Sequence, residues 1–379
     1  MTDASLRVPT AAAATSKAQR YYTASQWQLV WWRFRRHRMA IFGAGVLLVM
    51  AFMGVFAGFI APYGGTTRDA GYVYGPPQMV RFWDQNGFSI RPFVFGMTSR
   101  RDPVTLRMIT TPDPDTRRYL SAFVRGDEYR LLGLFSSDIH LFGVDTGMVH
   151  LLGTDDLGRD LFSRLMFATW TSLSVGLLGV ALAFVLALVI GGVAGFYGGA
   201  IDDAIQRFTE VVRVVPAIPL FMGLTASFPQ DWSNVQVYFM MTLVFGLLGW
   251  TTLARRVRGH ILSQRREDYV LAAEISGASP ARIIGRHLLP SFTSYIVVDL
   301  AITFPYVILS ETALSFVGLG LRPPSISWGI LLQDAQNVRA IEQAPWLFIP
   351  AAFVVLAVLA FTIIGDGLRD AADPYQTSD

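Results

Sequence analysis

Six runs of apolar residues, most of them about 20 residues long, set the form of this chain, because a helix of that length crosses about 30 Å of hydrocarbon. The runs stand at residues 39–61, 169–197, 211–228, 235–253, 291–317 and 346–364. Continuous apolar runs that must satisfy every backbone polar group internally are read as helices. The expected fold is an all-α polytopic membrane protein with six transmembrane helices. Composition agrees: 52% of residues are hydrophobic and 16% are charged, against about 25% charged in soluble chains. There is no cysteine, which rules out disulfides and thiolate metal sites. The net charge of +3 is accounted for by membrane topology, and no nucleic-acid partner is implied.

Residues 1–38 read as a cytoplasmic tail followed by an interfacial helix. Trp27, Val30, Trp31 and Phe34 recur at helical spacing beside Arg33, Arg35, Arg36, His37 and Arg38, the pattern of an aromatic and basic membrane anchor. The first span, 39–61, ends at Pro62 and Gly64-Gly65. Residues 62–150 form an extracytoplasmic insert, where alternation in Phe88–Phe95 suggests that part of it is β; an ordered loop covering the spans is the other reading. Residues 151–374 are the core with five further spans, and 375–379 are a cytoplasmic tail. Six spans place both termini in the cytoplasm, and arginine concentrates in 255–286 as the positive-inside rule requires.

Several residues could carry chemistry. Asp155, Asp156, Arg159 and Asp160 resemble a carboxylate cluster, but helix capping by Thr154 or Asp155 and pairing with Arg159 and Arg164 explains them better. Glycines 176, 179, 191, 192 and 195 mark the second span as an interior, closely packed helix. Pro216 and Pro219 should kink the third span. Asp299 and Glu311 lie within the fifth, where an acid is a functional candidate. Glu311 also has Ser310, Thr312 and Ser315 nearby and is equally read as a hydrogen-bonded structural group. Pro216, Pro219, Asp299 and Glu311 are therefore the candidate pathway or gate residues. Residues 330–344 read as a short surface helix.

The polar block 255–290 separates two spans. Asp268 starts a short helix, Gly277 is placed to end it in a left-handed turn, and Ser279-Pro280 begins a second helix running to about Leu289. Ala272 and Ala273 give the first helix a small, flat surface. So compact a loop is suited to meeting a soluble partner. The chain cannot itself bind nucleotide through a phosphate loop: the one lysine, Lys17, follows Ala-Ala-Ala-Ala-Thr-Ser and not the required glycines. It also lacks His-Glu-x-x-His, and no enzymatic activity is expected of it.

These residues resemble the permease subunits of bacterial ABC importers, whose loop pattern is Glu-Ala-Ala-x-x-x-Gly-x(9)-Ile-x-Leu-Pro. Ala272, Ala273, Gly277, Leu289 and Pro290 match; Leu271 and His287 replace the Glu and the Ile. Asp268-Tyr-Val-x-Ala-Ala273 and Arg286-His-Leu-Leu-Pro290 are similar to the oligopeptide/dipeptide permease branch of the C type. So are the stretches 152–160, 311–321, 323–329 and 365–374; the insert is longer than that branch usually carries. The resemblance implies a multi-pass protein of the bacterial cytoplasmic (inner) membrane that forms the pore of an ATP-driven importer. Its partners would be a second homologous permease subunit, two ATP-binding subunits, an extracytoplasmic solute-binding protein and the lipid bilayer. No cofactor would bind this chain; ATP and Mg would sit on the ATPase subunits. Those subunits would dock on Asp268, Tyr269, Ala272, Ala273, Glu274, Gly277, Ala278, Ser279, Arg282, Arg286, His287 and Pro290. Family members carry peptides, nickel chelates or oligosaccharides. An ion-coupled secondary transporter is the competing reading; it should show inverted repeats, and none is visible. A membrane-anchored receptor would need fewer spans.

Overall fold

The computed structural model describes residues 26–84, 87–101, 103, 108–131, 133–229 and 231–372. The expected tails at 1–23 and 375–379 lie outside the described residues. The chain opens with α1 (Gln26–Phe34), α2 (Arg38–Val55) and α3 (Ala57–Ile60). Four strands follow: β1 (Arg81–Asp84), β2 (Gly87–Arg101), β3 (Met108–Leu131) and β4 (Phe135–Val144). Then come α4 (Leu161–Tyr197), α5 (Gly199–Val214), α6 (Ala217–Ala226) and α7 (Asn234–Gln264). The polar loop holds α8 (Asp268–Ile275), α9 (Pro280–Arg282), a π-helical turn at Ile283–Leu288, and α10 (Leu289–Ser291). The chain closes with α11 (Thr293–Phe316), α12 (Trp328–Asp334), α13 (Val338–Gln343), a 3-10 turn at Pro345–Phe348 and α14 (Ile349–Ala372).

Among the described residues, five helical segments, at 38–55, 161–197, 234–264, 293–316 and 345–372, are long and apolar enough to cross a membrane. The expected third span is different. A continuous kinked helix over 211–228 does not form; α5 and α6 meet at a bend of 86°. Pro216 offers no N–H and forces the residue before it out of the helical region; Val215 is extended at φ −77°, ψ 125°. The ten residues of α6 reach only about 15 Å, so a sixth crossing needs the bent pair together.

The bundle has two ends. The end carrying the sheet is here the sheet end, and the end carrying α8 is the hairpin end. The sheet is an antiparallel meander in the order β1-β2-β3-β4, with Phe93 opposite Tyr119 and Val124 opposite His140. The partly β reading of the insert is thus met by four strands. His140 joins the sheet to the bundle: its Nδ1 lies 2.5 Å from the Ala61 carbonyl and its Nε2 3.0 Å from that of Asp127. Asp127 in turn accepts from the Gly64 N–H at 2.7 Å.

Helix α4 is the central element, as its glycines foretold. A Cβ built at Gly191 would stand 2.4 Å from the Ala254 carbonyl oxygen, so only glycine lets the backbones of α4 and α7 come this close. The packed interior changes along the axis. Leu161, Leu165, Trp328 and Leu347 fill the sheet end. Val180, Met241, Phe245 and Val307 fill the middle. Trp250, Val257, Ile261 and Ile283 fill the hairpin end.

Three local expectations are corrected. Helix α4 starts at Leu161, capped by Asp160, whose carboxylate accepts from the Ser163 N–H at 2.7 Å; neither Thr154 nor Asp155 caps it. The fourth span extends to Gln264, so Arg255, Arg256 and Arg258 belong to a helix rather than a loop. No proline interrupts 234–264, and Arg258 is held by Asp202 of α5. Residues 330–344 are not one surface helix: Trp328, Ile330 and Leu331 of α12 are buried in the bundle, and α13 is separate.

Candidate functional site

The hairpin at 268–290 is built by its turn. Gly277 has φ +78°, a left-handed conformation that glycine adopts freely. The Gly277 N–H donates to the Glu274 carbonyl at 2.9 Å and the Ala278 N–H to that of Ala273 at 3.0 Å, the paired bonds of a Schellman motif. Ser279 precedes Pro280 in extended conformation, but its hydroxyl makes no capping bond. The second arm is not a uniform α-helix. Pro290 cannot donate to the Arg286 carbonyl, and its ring crowds that oxygen; the preceding turn widens to π, with the Leu289 N–H bonded to Ile284.

Three side chains root the hairpin in the bundle. Val270, Ile283 and Leu288 are buried among Trp250, Val257 and Ile261 of α7. Ala273 and Ala278 also turn partly toward this core. The expected flat alanine surface is therefore divided, with Ala272 outward and Ala273 inward. Asp268, Tyr269, Glu274, Gly277, Ser279, Arg282, Arg286 and Pro290 are exposed, while His287 is half-buried. An apolar ridge that the sequence reading overlooked joins the outer face: Leu271 is 43% exposed and Ile275, one turn on, 89%. The available signal was two large aliphatic residues at i, i+4 in a polar block.

The four candidate pathway residues do not form one group. Pro216 and Asp299 line a common cavity of 620 Å³, together with Phe221, Phe245, Arg256 and Tyr306. Pro219 lies in the first turn of α6, exposed and outside that lining. Asp299 is buried and pairs with Arg256 of α7, which was not singled out in the sequence. The Arg256 guanidinium also rests 5.7 Å from the centre of the Tyr295 ring.

Glu311 is fully buried near the sheet end and is not among the residues lining this cavity. Ser172 of α4 donates to one carboxylate oxygen at 3.1 Å and Ser315 to the other at 2.9 Å. The Ser172 hydroxyl also accepts from the Trp328 N–H at 3.1 Å. The Trp328 indole N–H donates to Thr169 at 3.2 Å. The network ties α4, α11 and α12 together.

The acidic motif after the sheet is a charge knot. Asp155 accepts from Arg159 at 2.6 Å and from Arg164 at 2.5 Å; Arg164 also reaches Asp334 of α12 at 2.8 Å. No cluster suited to a metal occurs among the described residues. Beside the knot, His150 is buried between Asp160, 3.0 Å from its Nδ1, and Asp69, 3.5 Å from its Nε2. Burial opposes the imidazolium, but the two carboxylates outweigh it and hold the His150 pKa above the ordinary value. His150 in turn holds the Asp69 carboxyl below the usual carboxylate range.

Comparison with known proteins bears on this geometry. Residues 187–377 match the family described as binding-protein-dependent transport system inner membrane component. Residues 25–77 match the N-terminal TM domain of oligopeptide transport permease C. The chain is 34% identical over 226 residues to the oligopeptide transport system permease protein OppC of Bacillus subtilis, covering 59% of this chain and 72% of that protein. It is 38% identical over 227 residues to the dipeptide transport system permease protein DppC of the same organism, covering 59% and 68%. It is 37% identical over 226 residues to OppC of Haemophilus influenzae, covering 59% and 70%. The matched stretch includes the hairpin and α11, whereas the sheet falls between the two family matches.

Proposed function

Because the chain belongs to the binding-protein-dependent transport system inner membrane component family, we propose that it is the pore-forming subunit of an ATP-driven importer for peptides or similar small solutes. A membrane permease subunit of an ABC importer is the common ground with its relatives; the energy source, partners and cargo are the proposal. A second homologous permease chain completes the pore. Two ATP-binding subunits dock on the hairpin end, and a solute-binding protein delivers cargo at the sheet end. That assignment puts the sheet on the extracytoplasmic side, both termini in the cytoplasm and the chain in a bacterial inner membrane.

One observation carries the reading. The hairpin is rooted by Val270, Ile283 and Leu288 while it turns Leu271 and Ile275 outward. A rigid element gripped on one side and bare on the other transmits a push. When ATP draws the ATPase subunits together, displacement of α8 passes through the buried contacts to α7 and α4. Those helices then rock as rigid bodies, opening the pathway to alternate sides. Hydrolysis takes place on the partners, since Lys17 is the one lysine here and lacks a phosphate loop.

The test is isolation of this chain from its native membrane, followed by reconstitution. An ATP-binding subunit is expected to co-isolate, and ATP-driven uptake of trialanine is expected from the complete set. Uptake by this chain alone, driven by an ion gradient, overturns the proposal in favour of a secondary transporter.

A further inference from the structure

Asp299 and Arg256 stand where two cavities meet. The cavity of 620 Å³ reaches toward the sheet end as far as Ser310; a second, of 600 Å³, lies toward the hairpin end and includes Ser294 and Tyr295. Both are lined by Arg256, Asp299 and Ile302. Ser294, Asp299 and Ser310 follow one another along α11, so the pair lies about 7 Å from one marker and about 16 Å from the other along the helix axis.

Charges within a membrane-spanning helix are costly and are functional-site candidates by default, solute routes among them. A pair needed only for packing could be replaced by apolar residues without loss. This one is also asymmetric: Asp299 is buried, whereas Arg256 is half-exposed and faces both cavities. Arg213 lines the first cavity and Arg369 the second, and Asp299 is the one acid among the described lining residues. A carboxylate entering here is drawn to arginine, whose planar fork it fits in bidentate fashion. An ammonium group has one partner, Asp299.

We propose that the Arg256–Asp299 pair is a gate between the two cavities, opened by a solute that carries both a free carboxylate and a free ammonium. The carboxylate takes Arg256 from Asp299, the ammonium takes Asp299, and the barrier parts as the solute replaces it. This rests on the permease reading above and names the chemistry of the cargo.

The chain has no cysteine, so single thiols report cleanly. The assembled transporter in membrane vesicles, carrying Ser310→Cys in this chain, is treated from the hairpin end with a quaternary-ammonium thiosulfonate, and labelling of this chain is timed. Ser294→Cys, on the near side of the gate, labels rapidly in every background. Ser310→Cys labels slowly until Arg256→Ala or Asp299→Ala raises its rate about tenfold or more, because a charge without its partner no longer holds the closed arrangement. The exchange Arg256→Asp with Asp299→Arg restores slow labelling. Trialanine speeds labelling of the otherwise unaltered chain, whereas trialanine amide and N-acetyl-trialanine do not. Slow labelling in the single variants, or fast labelling in the exchange, overturns the gate. An equal response to the blocked peptides, or none to trialanine, overturns the assignment of the cargo. An ATP-binding subunit co-isolating with the variants keeps the permease reading intact under any of these results; its absence from the parent overturns that reading instead.

Discussion

The backbone N–H of Ala278 donates to the carbonyl of Ala273 at 3.0 Å, closing the hairpin over Gly277. This bond sets the angle between the two arms. It aims Leu271 and Ile275 outward while Val270 and Ile283 stay buried.

The first prediction concerns that turn. A Cβ at Gly277 meets nothing within 4 Å, yet its φ of +78° remains unfavourable for a side chain. The cost of a left-handed residue is about 1–2 kcal/mol, more for a β-branched one and less for asparagine. Gly277→Val is expected to cut ATP-driven uptake about tenfold, the factor that about 1.4 kcal/mol sets. Gly277→Asn should stay near the parent, with both variants present at normal levels in the membrane. Equal behaviour of the two would remove the turn from the account.

The charge knot predicts stability. Arg164 is 2% exposed and bridges Asp155 to Asp334. Arg164→Met leaves both acids to Arg159, so its cost falls toward the low end of the about 3–5 kcal/mol for breaking a buried pair. Melting in detergent should show a Tm lowered by several degrees, partly recovered on adding Asp155→Leu. An unchanged Tm in the single variant contradicts the arrangement.

His150 predicts a pH dependence. Its raised pKa means that its contribution to stability is complete below about pH 6.5 and is lost as the pH climbs through the folded value. Asp69, held low, contributes above its ordinary range and loses its share only in acid. The advantage of the parent over His150→Gln in Tm should therefore shrink as the pH rises above about 6.5. A constant gap means that His150 does not titrate against these carboxylates.

The long apolar helices and the glycine turn were legible in the sequence because each follows from a local rule: span length for Leu161–Tyr197, left-handed geometry for Gly277. What escaped depends on partners distant in the chain. Arg256 looked like one charge in a basic loop, and its pairing with Asp299 exists only once α7 and α11 lie side by side. Glu311 carried both a pathway and a hydrogen-bonded reading; its bond to Ser315, one turn away, was legible, whereas that to Ser172, 139 residues away, was not. The break at Val215-Pro216 was half legible. Proline announced a disturbance, but whether a helix kinks or ends depends on packing beyond the local sequence. The buried α12 was misread because its apolar residues, Trp328 to Leu331, are too few to announce a core element.

The central claim, that the hairpin is the contact through which an ATPase moves the pore, is tested most directly by cross-linking at Ile275. No native thiol competes in this chain, and Ile275 is 89% exposed. In the assembled transporter, Ile275→Cys with a short bifunctional thiol reagent is expected to join this chain to an ATP-binding subunit, with a yield that changes when ATP is added. An intact complex that gives no such adduct from Ile275→Cys, yet cross-links readily from the sheet end, would contradict the account.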